Sequence, residues 1–351
     1  MTDDATREHR GEDEGFHLDL TPRRLVVFGV FVALTIVALY FLVPQLAGLD
    51  DTWNRIRNGR PVWLLLAGLF TFGMFAGFVT QFQAVYDCAH LLRRESLQIT
   101  LAALAASRLL SAGGAGGLVL QAWALRRAGL EPRAVADRTV AFVVLQYLVY
   151  TLAVVVFGYA LYYGLLPGSA PFAITFVPAT LALVVTVLGL SLGFVPPDLQ
   201  KRLHAGPMRR VANLPASASA GIRIALRRLR TPDGSIFGAL LFWACQIAVL
   251  WACFNAFGEA PPIGVLVVGF FVGMLGNLLP LPGGIGGVDG GMIGAFAAFG
   301  LDSGLAIVAV LAYRGFTFWL PTLPGIVAFF ALRRTVDRWG AEGRTAAHQP
   351  A

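Results

Sequence analysis

Six unbroken apolar runs, 25–43, 62–82, 139–164, 172–194, 236–257 and 304–332, leave this chain few ways to fold. Each is about as long as a helix needs to be to cross a hydrocarbon core of roughly 30 Å. Hydrocarbon offers no partner to a backbone N–H or C=O, so segments of this length must satisfy themselves as helices. Charged residues make up only 13% of the chain, against roughly 25% in soluble domains. That argues against any sizeable soluble domain. Two further runs, 98–125 and 263–300, are as apolar but are interrupted by glycine.

The expected fold is therefore an all-α polytopic membrane protein. It has about six full spans plus two glycine-broken re-entrant or hairpin segments, about eight helical units together. One membrane domain is expected over 25–335, between a polar N-terminal tail, 1–24, and a polar C-terminal tail, 336–351. The first residues lack the basic-then-apolar pattern of a signal peptide, so the run from Leu25 is expected to remain as a helix.

The net charge of +7 sits in loops between apolar runs. Topology and anionic headgroups account for it better than nucleic acid does. Lys and Arg mark the cytoplasmic side. Arg23 and Arg24, Arg93 and Arg94, Arg126, Arg127, Arg133 and Arg138, the basic loop 195–235, and Arg333, Arg334 and Arg338 all read as inside. Loops 165–171 and 258–262 carry no basic residue and read as outside. A multi-pass protein of the plasma membrane with both termini cytoplasmic is expected. Segment 98–125 must then enter and leave from the inside, and 263–300 from the outside.

The two turns resemble each other. "RLLSAGGAGGLVL" (108–120) and "NLLPLPGGIGGVD" (277–289) both read Leu-Leu, a spacer, then Gly-Gly-x-Gly-Gly. The halves 25–164 and 172–332 repeat the order run, run, broken segment, run, with opposite orientation. Inverted repeats with broken segments are a signature of transport folds. In a chain with 40 glycines, a chance match is the alternative.

Glycine permits sharp turns and exposes N–H groups to an anion, and a helix starting after a break aims its positive end at a phosphate. The other reading is close helix packing, since Gly113/Gly117, Gly283/Gly287 and Gly287/Gly291 have the i, i+4 spacing of small-residue contacts. Packing does not explain Pro280, Pro282 or Asp289. Arg314 lies inside another apolar run, where an unpartnered arginine costs at least about 2.5–3.5 kcal/mol. Asp289 is its expected partner, and Arg108, before the first glycine turn, is a third candidate charge at depth. Pro321 and Pro324 are expected to kink the last helix. In the basic loop, Ile222, Leu226 and Leu229 share one helical face, and Arg223, Arg227 and Arg230 share another. That suits either a helix lying on an anionic leaflet or a solvated basic loop.

Three cysteines and five histidines show no metal-ligand spacing and no nucleophile–base arrangement. Cys245 and Cys253 lie too far apart on one run for a disulfide and read as small buried residues. No catalytic residue, metal or cofactor is expected.

"PLPGGIGGVDG" followed by "YRGFTFWLPTLPG" resembles the transmembrane flippase-like region of lysylphosphatidylglycerol synthases and its stand-alone relatives. The family pattern is Pro-Gly-Gly-Ile/Leu-Gly with a downstream acid, then Tyr-Arg ahead of Pro and Gly. Here it falls on Pro282, Gly283, Gly284, Ile285 and Gly286 with Asp289, then Tyr313, Arg314, Pro321 and Gly325. The likeness covers roughly 25–335. The family's first-half Gly-Glu followed by Arg is replaced by Ser111 and "GGAGGLVLQAWALRR", so that glutamate's role does not carry over. The family's transferases add a soluble catalytic domain, for which this sequence has no candidate.

The resemblance implies movement of a phospholipid or lipid-linked headgroup between leaflets, with membrane lipids, anionic ones above all, as partners. The residues expected at the substrate are Arg108, Gly113, Gly114, Gly116, Gly117, Pro282, Gly283, Gly284, Gly286, Asp289, Tyr313 and Arg314. The alternatives are a membrane enzyme acting on lipid and an accessory scaffold.

Overall fold

The computed structural model describes residues 57–87, 93–109, 115–194, 209–230, 233–278 and 284–341. The chain divides into two compact units, Met1–Leu46 and Ala47–Ala351, and everything described belongs to the second. The expected span 25–43 lies outside the described residues.

Among the described residues every regular element is helical: α1 (Pro61–Tyr86), α2 (Arg93–Leu109), α3 (Ala115–Arg127), α4 (Pro132–Tyr162), α5 (Phe172–Ser191), α6 (Arg209–Arg230), α7 (Gly234–Phe257), α8 (Ile263–Met274), α9 (Gly287–Ala298), α10 (Ser303–Arg314) and α11 (Leu320–Ala341). The fold is all-α and polytopic. Five stretches are long and apolar enough to cross a membrane: Pro61–Tyr86, Pro132–Tyr162, Phe172–Phe194, Gly234–Phe257 and Ser303–Trp339. They coincide with the expected runs at 62–82, 139–164, 172–194, 236–257 and 304–332. Both glycine-broken runs are helix pairs, α2–α3 and α8–α9.

Local chemistry explains the boundaries. Pro61 and Pro132 open α1 and α4 at positions where a missing N–H costs nothing. Asp233 caps α7 by accepting from the Ser235 amide at 2.9 Å, and it also pairs with Arg228 at the end of α6. Burial alone would raise the Asp233 carboxyl, but hydrogen bonds from Ser235 and Arg228 outweigh it and hold the group below the usual range. Its contribution to stability is therefore full above the ordinary aspartate range and fades as pH falls through the depressed value. Asp233→Ala is expected to cost about 0.5–2 kcal/mol. The deficit, read from melting temperatures at successive pH values, should shrink toward zero in acid.

The central contact is the antiparallel pair α1–α7. Arg60 N–H donates to the Ala256 carbonyl (2.9 Å), and Trp63 meets Trp251 edge-on at 4.9 Å. Further along, a Cβ on Gly238 would lie 2.6 Å from the Gly77 carbonyl oxygen, so the two backbones touch. Small residues permit this approach where lipid supplies no hydrophobic drive. Cys245 and Cys253 are buried free thiols on α7.

One end of the bundle gathers the start of α1, the end of α7, the α4–α5 connection and the start of α10. Ser169 Oγ donates to the Phe299 carbonyl there (2.5 Å), and Gly258 abuts Leu305. The opposite end gathers the end of α1, the start of α4 and α6. There Arg138 donates to the Tyr86 carbonyl, and Gly221 sits against Asp137 and Val140. Ile222 and Leu226 of α6 pack on Gly193, beyond α5. The α6 apolar face is therefore directed at the bundle, and Arg227, Leu229 and Arg230 remain exposed.

Candidate functional site

The α8–α9 hairpin is antiparallel, as its close approaches show. Gly269 meets Phe296, Gly273 meets Met292, and a Cβ on Gly276 would lie 2.1 Å from the Gly287 carbonyl oxygen. It enters from the α10-start end. With 12 residues at about 1.5 Å each, α9 rises about 18 Å to its N-terminus. That is near the middle of a ~30 Å core.

The α2–α3 hairpin is built the same way, with Gly117 against Ala103 and Ser107. It lies along α11: Gly325 abuts Ala105, Thr335 Oγ1 donates to Gln98 Oε1 (3.0 Å), and Trp339 Nε1 donates to Glu95 Oε1 (3.1 Å). Its base lies at the far end of α11, so the two hairpins enter from opposite ends, as the loop charges require. Each packs on the last long helix of the other half, α2 on α11 and α8 on α4. In the second contact Tyr150 Oη donates to the Phe271 carbonyl at 2.6 Å. That is where α8 tightens into a 3₁₀ turn, Leu275–Leu278.

Asp289 and Arg314 meet at the tip of the second hairpin, with Arg314 Nε 2.6 Å from Asp289 Oδ1. Their side chains are 11% and 12% exposed, so the pair is largely withdrawn from solvent. The other Asp289 oxygen, Oδ2, accepts from the Gly286 amide (2.9 Å), placing the carboxylate in the first turn of α9, where the helix dipole favours negative charge. Arg314 lies about 17 Å along α10 from Ser303, the same depth as the start of α9. Its guanidinium covers the Phe318 ring at 4.7 Å, a cation–π contact. Tyr313 is buried and donates to Gln246 Oε1 of α7.

One wide π-helical turn, Gly315–Trp319, follows Arg314. Pro321 cannot donate to the residue 317 carbonyl, and its ring would press on it, so a wider turn relieves the conflict. The wide turn stands just before the prolines at which a kink is expected. Thr317 Oγ1 donates to the Tyr313 carbonyl (2.8 Å) and helps fill the opened ladder.

The expected site residues divide into groups. Asp289, Arg314 and Gly286 come together, and Tyr313 is adjacent in the chain. Gly284 (φ +66°) and Gly286 (φ +81°) hold left-handed backbone that side chains avoid. Gly116 and Gly117 are helical residues inside α3 rather than turn residues, and Gly117 serves packing, as does Gly291 against Gly273. Arg108 lies in the last turn of α2, its side chain outside the described residues, as are Gly113, Gly114, Pro280, Pro282 and Gly283. Sequence reasoning missed Gln246, Phe318 and the π turn. A glutamine within the apolar run 236–257 was the available signal.

Residues 26–325 match the family model for the lysylphosphatidylglycerol synthase TM region. A UPF0104 membrane protein of Methanothermobacter thermautotrophicus is 25% identical over 324 residues, 85% of this chain and 94% of the relative. Two shorter matches to UPF0104 membrane proteins of that organism are 37% identical over 93 residues (26% of each chain) and 33% identical over 90 residues (25% of this chain, 27% of the relative).

Proposed function

We propose, from the premise that the chain belongs to the lysylphosphatidylglycerol synthase transmembrane-region family, that it carries a phospholipid or lipid-linked headgroup between leaflets. The observation that carries this reading is the Asp289–Arg314 pair, largely withdrawn from solvent about one 12-residue helix in from the α10-start end. A buried ion pair is weak evidence for stability, because desolvation offsets most of its attraction. Ionisable residues held at such depth mark substrate and ion pathways.

In this reading Arg314 exchanges its carboxylate partner for a headgroup phosphate. The Gly286 amide and the positive end of α9 then face the same anion. The acyl chains stay in lipid while the headgroup passes. The hairpins, entered from opposite ends, and the wide turn after Arg314 supply the parts that move.

The test uses vesicles holding a fluorescent phosphatidylglycerol or phosphatidylethanolamine and an external quencher. Wild-type protein is expected to expose inner-leaflet label faster than protein-free vesicles do. The Asp289→Asn/Arg314→Gln double variant keeps the pair's shape without its charge. Loss of charge-assisted hydrogen bonds of about 1.5–3 kcal/mol should slow transfer about tenfold to a hundredfold. Transfer no faster than in empty vesicles, or a double variant equal to wild type, overturns the reading.

A further inference from the structure

A file of buried polar groups runs from the α4-start end of the bundle toward Asp289 and Arg314. It begins at Tyr86, whose Oη shares a 2.8 Å hydrogen bond with Thr139 Oγ1 beside Arg138. One turn along α4, the Phe142 carbonyl accepts from Gln81 Nε2 (3.3 Å). The next turn carries Gln146, whose carbonyl accepts from Trp243 Nε1 (2.9 Å). Three residues along α7, Gln246 accepts from the Tyr313 hydroxyl, and Arg314 follows in the chain. Consecutive steps along α4 and α7 are three or four residues, about 4.5–6 Å. The groups thus recur at about one-turn intervals, and ordered water is the element that would join them.

Two oxygens in this file have no hydrogen-bond partner among the described residues, Gln81 Oε1 and Gln146 Oε1. Gln81 is fully buried and Gln146 is 8% exposed. An unsatisfied buried polar atom costs about 1–3 kcal/mol, which selects for a water at each. Interhelical glue alone would use both ends of each amide. Here each side chain leaves an oxygen over, one turn from the next polar group.

We propose that this file conducts protons between the α4-start end and Asp289. A proton arriving on the Asp289 carboxylate gives the neutral acid and releases Arg314 from its partner; loss of that proton restores the pair. One proton enters and one leaves per cycle, and no other bond changes. Among the described elements packed on α9, α10 carries Tyr313 and Arg314, α7, whose Phe254 meets Phe296, carries the thiols Cys245 and Cys253, and α8 and its 3₁₀ turn carry no titratable group. Proton entry stands apart from lipid movement, although the release of Arg314 would link the two.

The test follows protonation of Asp289 itself. Protein in vesicles of phosphatidylethanolamine and phosphatidylglycerol is given an acid pulse, and the carboxylic-acid C=O band that Asp289→Asn removes is followed by time-resolved infrared difference spectroscopy. The wild-type band is expected to rise after the pulse. Gln81→Met and Gln146→Met, near in shape but unable to hold a water chain, should each slow its rise on the order of tenfold. Tyr86→Phe removes one hydroxyl at the mouth and gives the same readout if a glutamine variant fails to fold. A wild type without such a band, or unchanged rates in folded variants, overturns the proposal. Lipid transfer is followed in parallel. Its absence with Asp289 protonation intact overturns the lipid reading and leaves this one standing.

Discussion

The Arg314→Ala variant is expected to lose about 3–5 kcal/mol of stability, because it leaves the Asp289 carboxylate buried without its counter-charge. The loss should exceed what the deleted contacts alone predict. Arg314 also covers Phe318, but that cation–π contact contributes only about 0.5–2 kcal/mol. The diagnostic comparison is with Asp289→Asn/Arg314→Gln. Removing both charges together should recover most of the loss, since no lone charge remains in the interior. Detergent-titration unfolding of the three proteins measures this. A double variant no more stable than Arg314→Ala would show that the two side chains act independently.

Gly276→Ala should be as damaging, for a steric reason. The added Cβ would lie 2.1 Å from the Gly287 carbonyl oxygen and 2.6 Å from the Val288 amide nitrogen. Both are backbone atoms, so no rotamer change relieves the clash, and the hairpin must spread at its tip. Spreading it there displaces the first turn of α9, which carries Asp289. A loss of several kcal/mol, in the range of severe core overpacking, is expected. Gly290→Ala, on the same hairpin, meets nothing within 4 Å and should be near neutral when the two variants are compared by detergent-titration unfolding. Equal effects at the two positions would refute the packing account.

Much of the architecture could be read from hydropathy, because a bilayer leaves helices as the practical solution for long apolar runs. The pairing of Asp289 with Arg314 was legible too, since two opposite charges at depth have little else to do. The roles of individual glycines were not. Gly286 and Gly291 lie in the same glycine-rich stretch, yet one holds a left-handed turn and the other a helix-to-helix contact. That difference exists only once α8 lies against α9. The buried glutamines escaped notice because each is a single polar residue in a long run. Their alignment across α1, α4 and α7 depends on how these helices are rotated against one another.

The clasp between α2 and α11 bears on how the chain is made. Gln98 and Thr335 are 237 residues apart, and Glu95 and Trp339 are 244 apart. At a synthesis rate of roughly 5–20 residues per second, the ribosome needs on the order of 10–50 s between making one side of each bond and the other. During that interval Glu95 has been translated and its tryptophan has not. The acidic base of the first hairpin must therefore wait near water or in the care of the insertion machinery, and its final docking is a late event in biogenesis.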